Sequence, residues 1–495
     1  MSIEFQKLLS GCESEQLHLS AAIQPFGALL CLDSATLRIT HASANIETFL
    51  GKSAEDLLGQ PMDVLHGLKR SDLHKLPTEA GHSLQLSRIV KVASGVIDAV
   101  VIRSTDALLI ELEYSDQEGA EAIPLQQLQR PLLTSPFADD EVLRHHNSLL
   151  AAFRTVTGYD RVMLYQFHED WSGEVIAEAT SPALGSYLGL HFPASDIPEI
   201  ARNLYMLNPT RLIPDITAVA VPILGSSANP PDLTWSNLRS VSPIHLQYLE
   251  NMGIGASFSV PIRIANKLWG LVACHHLKPR MLSHDRRQTC VSLTNTYALG
   301  LSSHFASRRL QLLDSFERRI DRIMGELTQH DDPLNGIEEN ADLLMDVLNA
   351  QGFAMAMDDE VVIAGEGPDM EGMSLIDAWF LNEYQEGVAS TNHLESLFPG
   401  QLAILAVVSG MIAIKARSSR SGWVRFYWFR SEEPHEVVWA GNPNKPVVEN
   451  AGAITLSPRR SFERWVEIKS GYSRPWSDTE KMTAAKFRNT LLRWL

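Results

Sequence analysis

The chain has 495 residues, enough for about three domains at ~150 residues each, and 45% of them are hydrophobic, which excludes an intrinsically disordered chain. Its formal charge is −17 and it contains no basic run, so nothing electrostatic favours nucleic acid or an anionic membrane as a partner. Four cysteines, Cys12, Cys31, Cys274 and Cys290, form no CxxC and are too few for a disulfide framework, which fits a reducing, cytosolic compartment.

The first residues, MSIEFQKLLSGCESE, have no basic end followed by an apolar stretch, so no signal peptide is expected. Cys12 stands in this polar leader, ahead of any element that would bury it. GALLCLDSATLRITHASAN reads as two strands joined at Asp33-Ser34, and Glu47 and Ser53 fall near helix starts. AVVIRSTDALLIELEYS reads as a hairpin around Thr105-Asp106. Residues 1–120 therefore comprise the leader and a small α+β domain, and 121–137, rich in proline, read as a connector.

A second α+β domain is expected over 138–305, with a helix in EVLRHHNSLLAAFRTVTG and strands in RVMLYQF, ASFSVPIRI and KLWGLVACHH. Ala298, Leu301, Phe305, Leu310, Leu313, Phe316, Ile320, Ile323 and Leu327 then recur mostly every three or four residues, which predicts one long helix. Such a helix is expected to join two domains and to lend an apolar stripe to a second copy of the chain. Residues 306–495 hold a third α+β domain, interrupted over about 431–475 by a polar stretch with Trp439 and Trp465, and with Trp476 just after it. The apolar run LAILAVVSGMIAI, 402–414, is shorter than the ~20 residues that span a bilayer, and reads as core strands around a turn. The final pattern, MTAAKFRNTLLRWL, is helical and uncapped, so a further domain is expected to follow Leu495.

HFPASDIPEIARNLY, 191–205, is the most informative stretch. In the simplest reading Asp196 and Glu199 are a capping pair, with Pro198 in the first turn of a helix. Pro193 and Pro198 also stiffen the turn around Asp196, and Arg211 and Arg239 follow in NPTRLIPD and NLRSVSPIH. Guanidinium groups pair with carboxylates in a two-pronged way, so this set suits a ligand with two carboxylates. His245, His275 and His276 raise a metal site as the competitor. Adjacent strand residues face opposite sides, however, so His275 and His276 do not share one ion and no metal site is assigned.

The motifs IQPFGALL, YDRVMLYQF, PASDIP, LRSVSPIH, YLENMG and KLWGLVACHH occur in an order and at separations that resemble the photosensory module of a bacterial phytochrome, over essentially all 495 residues. The resemblance implies an α+β fold of three sequential domains, PAS, GAF and PHY. It adds a figure-of-eight knot, with Ile23 inside the crossing, a tongue extending from the third domain, and a long connecting helix. It implies that Cys12 forms a thioether with a vinyl group of biliverdin. Asp196 would offer its backbone carbonyl to the pyrrole N–H groups and its carboxylate to Arg459 of the tongue. His245 would hold a water between the rings. Arg211 and Arg239, helped by Ser242, Ser257 and Ser259, would pair with the propionates. His275 would bond the carbonyl of the outer ring, walled by Met163, Tyr165, Phe192, Tyr205 and Tyr248. WAG (439–441), PRRSF (458–462) and WVE (465–467) match the tongue.

The family usually has QPHG where this chain has Phe26, so a hydrogen bond near the knot is expected to be lost. Leu190 and Phe192 place apolar groups at the pocket, which favours a red-absorbing dark state. LTQHDDPLNG, 327–336, departs from a kinase phosphoacceptor box, because Pro333 follows His330 by three residues. The chain is therefore read as a red/far-red receptor and not an enzyme. A histidine kinase addressing a response regulator is expected beyond it. A GAF-type sensor of haem or another small ligand is the alternative.

Overall fold

The computed structural model describes residues 16–494, apart from 66, 93–94, 116–123, 183, 227–228, 331–332, 359, 402–407, 419–421, 444–446, 451–452 and 457–460. It divides into two units, Met1–His304 with Val438–Trp465 and Phe305–Val437 with Val466–Leu495.

In the first unit, strand Gly27–Asp33 is buried along both faces, which explains why GALLCLD is a continuous apolar run instead of an alternation. Ala28, Leu30 and Leu32 face a core with Ile46, Phe49, Ala54 and Leu57, while Leu29 and Cys31 face Ile23, Leu233 and Leu238. The same division runs along Ala107–Tyr114, where Leu108, Ile110 and Leu112 join the first core. Glu111 and Glu113 alternate with them and so fall on the second side. Ser53 caps the helix Ala54–Leu57 by accepting from the Asp56 amide. This sheet also takes in Val221–Gly225, which lies between Ala22–Ile23 and Ile39–Ser43.

The second sheet of this unit runs in the order Arg211–Ile213, Ala256–Ile264, Lys267–His276, Arg161–Phe167, Gly173–Thr180, His191–Phe192. Residue Trp439 then pairs with His191 in parallel. One face of the sheet offers Leu212, Phe258, Val260, Val272, Cys274, Val162 and Leu164 to a core shared with the helix Asp139–Thr157 and with Cys290, Leu293 and Tyr297. That helix stops at Gly158, whose φ of 63° is the left-handed value that a C-terminal glycine supplies without steric cost.

Helix His284–Leu327 is a single element of 44 residues, as the periodicity predicts. Its first part packs in the first unit; Phe316, Ile320, Ile323 and Leu327 are buried in the second. There, five antiparallel strands run in the order Glu360–Gly365, Gly352–Met357, Gly422–Arg430, Gly410–Ser418, Val388–Thr391. Phe426 and Trp428 face the long helix and Phe487, and Tyr427 and Phe429 face the helix Met370–Asn382. Both faces are again covered, hence the apolar run GWVRFYWFR. Of the run at 402–414, Met411 to Ile414 lie in a buried strand and 402–407 fall outside the described residues. No described helix is long and apolar enough to cross a membrane.

Glu113 and Arg287 form a buried ion pair at 2.5 Å, and Arg287 Nε and Nη1 have no hydrogen-bond partner among the described residues. Removing one partner strands a charge in a dry site. Arg287→Ala is expected to lower stability by about 3 kcal/mol. The volume-matched pair Glu113→Leu with Arg287→Met should recover most of that loss, read from denaturant unfolding of the three proteins.

Candidate functional site

The other face of the second sheet builds a cavity. Strand register aligns Arg211, Ser259, Ala273 and Met163 in one row across four strands, and Ile213, Ser257, His275 and Arg161 in the next. Because side chains alternate along a strand, these rows share a face, and the core residues between them take the opposite one. The rows, the helices Glu199–Leu207 and Pro243–Asn251, and the turn Ala194–Asp196 enclose about 240 Å³. Tyr165 reaches over Gly173, where a Cβ would come within 1.9 Å of the tyrosine Cζ, so only glycine leaves room for that ring.

Two cations, Arg211 and Arg239, face this space. Arg211 donates from Nη1 to the Arg239 carbonyl at 2.8 Å and from Nη2 to the Ser240 carbonyl at 2.8 Å. Arg239 donates to the carbonyls of Leu233 and Thr234, both at 3.2 Å. Among the described residues neither has a carboxylate within ion-pair distance. Burial, then the neighbouring Arg239, pushes Arg211 down to about 9; burial also pushes Arg239 down to about 10. An anion arriving between them would reverse both shifts.

His245 and His275 are both shifted toward the neutral form. His275 is buried, and burial, then Arg161, pushes it down to about 3; its Nδ1 has no hydrogen-bond partner among the described residues. His245, on the helix Pro243–Asn251, lines the cavity, and loss of bulk solvent around its ring, then the charge of Arg211, lowers it to about 4. His276 turns to the opposite side of the strand, 2.7 Å from Asp160. Tyr205 and Ser259 share a 2.7 Å hydroxyl contact.

Asp196 departs from the capping pair that its spacing suggests. The helix starts at Glu199 with Pro198 as its N-cap, and Asp196 ends a preceding turn. Its Oδ2 accepts from Tyr248 at 3.1 Å. The ring of Tyr248 stacks on His245 and meets Phe462 edge-on at 5.1 Å. Leu190 packs with Val175 and Phe192, two residues that line the cavity, and does not line it itself.

The structure brings Asp196, His245, His275, Arg211, Arg239, Ser242, Ser257, Ser259, Met163, Tyr165, Phe192, Tyr205 and Tyr248 to one cavity wall. Cys12 and Arg459 lie outside the described residues. Three supports escaped the sequence reading. Glu111 is buried and accepts from Ser236 Oγ at 2.6 Å, the Asn237 amide at 2.7 Å and the Leu238 amide at 3.2 Å, which fixes the loop carrying Arg239. Gln24 donates to the carbonyls of Leu212 and Arg239. Arg161 pairs with Glu178 at 3.0 Å, with both side chains buried, and lies 4.0 Å over the Tyr187 ring. A charged residue in an otherwise apolar strand was the available signal for Glu111 and Arg161. Phe26 packs between two apolar clusters, with Arg287 6.0 Å over its ring.

The depressed pKa of His275 makes stability depend on pH. An unfolded histidine titrates near ~6.5. Between that value and about 3 the unfolded chain holds the extra proton, so stability falls as pH drops through this window. The contribution is up to ~1.4 kcal/mol per pH unit. His275→Gln is expected to reduce the loss of thermal midpoint between pH 6.5 and pH 4.5, measured on ligand-free protein.

Family models match along the chain: a PAS fold over residues 12–115, a GAF domain over 147–299 and a phytochrome region over 316–495. Cyanobacterial phytochrome B of Nostoc sp. is 34% identical over 99% of this chain and 67% of its own length. A bacteriophytochrome of Xanthomonas campestris pv. campestris is 31% identical over 97% of this chain and 78% of its own. The chain thus spans about two thirds of the cyanobacterial relative. The photosensory core module of the Stigmatella aurantiaca phytochrome superposes with a TM-score of 0.83 at 31% identity, over 98% of this chain and 97% of that one. A bacteriophytochrome of R. palustris gives 0.82 at 30%, over 98% of each chain. With the cavity in the domain that the GAF model covers, these likenesses settle the family: the chain belongs to the phytochromes, as a PAS–GAF–PHY photoreceptor module.

Proposed function

We propose that the cavity binds biliverdin, that Cys12 holds it covalently, and that the chain is a red/far-red sensor. Family membership implies a bilin, and the residues present fit one. The observation that carries the reading is the pair Arg211 and Arg239, two cations at the cavity wall with no carboxylate partner among the described residues; a bilin brings two propionates. His275, with its orphaned Nδ1, offers one further polar contact deep in the same wall.

The bound bilin supplies light absorption and rotation of its outer ring about a double bond. The chain's residues do the rest. Arg211 and Arg239 orient the carboxylates, with Ser242, Ser257 and Ser259 beside them. Neutral His275 bonds the outer-ring carbonyl, and His245 holds a water and a proton near the pyrrole nitrogens. Met163, Tyr165, Phe192, Tyr205 and Tyr248 confine that ring. The apolar wall around Phe192 favours a red-absorbing dark state. Leu17 lines the cavity, and Cys12 precedes it by five residues in the sequence. The Cys12 thiol adds across a vinyl group, sulfur to one carbon and proton to the other, with no leaving group. This is one turnover of self-attachment, so the module is a receptor and not an enzyme.

Asp196 is the proposed switch, exchanging its bond from Tyr248 for a pairing with Arg459 of the tongue, 431–475. Phe462 against Tyr248 and Trp439 beside His191 support a tongue that reaches this site. The segment Ala22–Gln24, bonded to Val221, Leu238 and Arg239, supports the knotted crossing around Ile23. Leu299, Phe305, Leu310 and Leu312 of the long helix are exposed, which supports a homodimer through it. The proposed setting is cytosolic, with a histidine kinase output domain and its response regulator served by the whole protein.

Biliverdin titration followed by absorption spectra, in the dark and after red or far-red light, tests the reading. A reversible exchange of red and far-red bands is expected. A Soret-dominated haem spectrum without light response would sink it. Arg211→Ala should weaken uptake at least tenfold, the scale of one lost charge-assisted bond. Cys12→Ala should still take up pigment but release it on denaturation.

A further inference from the structure

The hairpin of Arg161–Phe167 and Gly173–Thr180 closes in a tight turn. The His168 amide donates to the Ser172 carbonyl at 2.8 Å, Asp170 Oδ1 accepts from the Ser172 amide at 2.9 Å, and Trp171 takes a φ of 62°. This turn carries His168 back over Glu174. On the other side of that strand, register makes Glu174 and His191 direct cross-strand neighbours. His168 Nε2 therefore lies 3.4 Å from Glu174 Oε2, and His191 Nε2 lies 3.9 Å from the same oxygen. The two imidazoles stack at 5.3 Å with 17° between their planes. One ligating atom from each of the three residues falls within 4.8 Å of the other two.

A tetrahedral ion with bonds of about 2.0–2.1 Å holds its ligand atoms about 3.4 Å apart, so only small side-chain rotations separate this cluster from a coordination shell. Two imidazoles and one carboxylate are a recurring zinc set, and two nitrogen donors disfavour calcium and magnesium, which take oxygen. Side-chain exposures of 38%, 30% and 21% for His168, Glu174 and His191 leave a path for the ion and room for water as a further ligand. None of the three residues lines the cavity.

We propose that His168, Glu174 and His191 form a binding site for a divalent ion of the zinc class. Bound there, the ion ties the hairpin turn to the strand His191–Phe192. The second residue of that strand lines the cavity, and the first pairs with Trp439, whose ring lies 5.8 Å away.

Calorimetric titration of the full chain with zinc chloride, without bilin so that no pyrrole nitrogen competes, tests the site beside Glu174→Gln and His168→Asn. Expected are one saturable equivalent in the parent protein and at least a tenfold loss of affinity in each variant, the scale that even outer-sphere changes reach. Zinc should also raise the thermal midpoint of the parent and not of the variants. Circular dichroism and biliverdin uptake check that the variants fold. Absence of saturable binding in the parent, or equal binding in folded variants, overturns the proposal.

Discussion

Holding two guanidinium groups side by side with no carboxylate at ion-pair distance among the described residues is costly, and much of the first unit is arranged to sustain it. Arg211 spends its donors on the carbonyls of Arg239 and Ser240, and Arg239 spends one of its own on Leu233 and Thr234. Glu111 clamps the loop that presents Arg239, and Gln24 reaches the Arg239 carbonyl from the N-terminal segment. Glu111 is itself pushed upward by burial, so it serves the loop through hydrogen bonds more than as a counter-charge. The unit thus holds a net positive cavity wall in place before any anion arrives, so that little rearrangement is needed on binding.

The two faces of each sheet divide the work. In the second sheet of the first unit one face is an ordinary core, anchored by Phe258, Val272 and Leu164, and the other presents polar rows to the cavity. A one-residue slip of register would exchange the faces and put Ser257, Ser259 and His275 into the core. The dense core on the far side therefore guards the chemistry on the near side. Buried tyrosine and histidine pairs such as Tyr297 with His146, at 2.9 Å, pin the helices that back it.

Much of this was legible from sequence, for particular reasons. The three- and four-residue recurrence from Ala298 to Leu327 reports one helix because helical geometry leaves no other way to put those residues on one side. His275 and His276 separate because strand side chains alternate. The family motifs placed the cavity residues where spacing alone could not, since Asp196, Arg239 and His275 meet only through sheet register and loop path. Asp196 and Glu199 look like a capping pair, but Pro198 takes the cap and Asp196 turns to Tyr248, a tertiary contact invisible at short range. Leu190 stands two residues from Phe192, so alternation puts both on one side; it packs in the same cluster as Phe192 without reaching the cavity itself. His168, Glu174 and His191 drew no notice because a hairpin and a third strand, and not a repeating interval, bring them together.

The strand Val221–Gly225 completes a sheet whose other members, apart from Ala22–Ile23 beside it, lie between Gly27 and Tyr114. On a ribosome, Ile39–Ser43 emerges long before its neighbour Val221–Gly225 has been made. At ~5–20 residues per second the wait is roughly 10–35 s. Throughout it the nascent domain carries an open edge that any extended peptide can occupy. The same late strand pairs with Ala22–Ile23, and the Gln24 contact to the Arg239 carbonyl can form only once residue 239 has been made. Synthesis rate and chaperone protection during that interval thus bear directly on how much of the newly made protein becomes competent to bind its ligand.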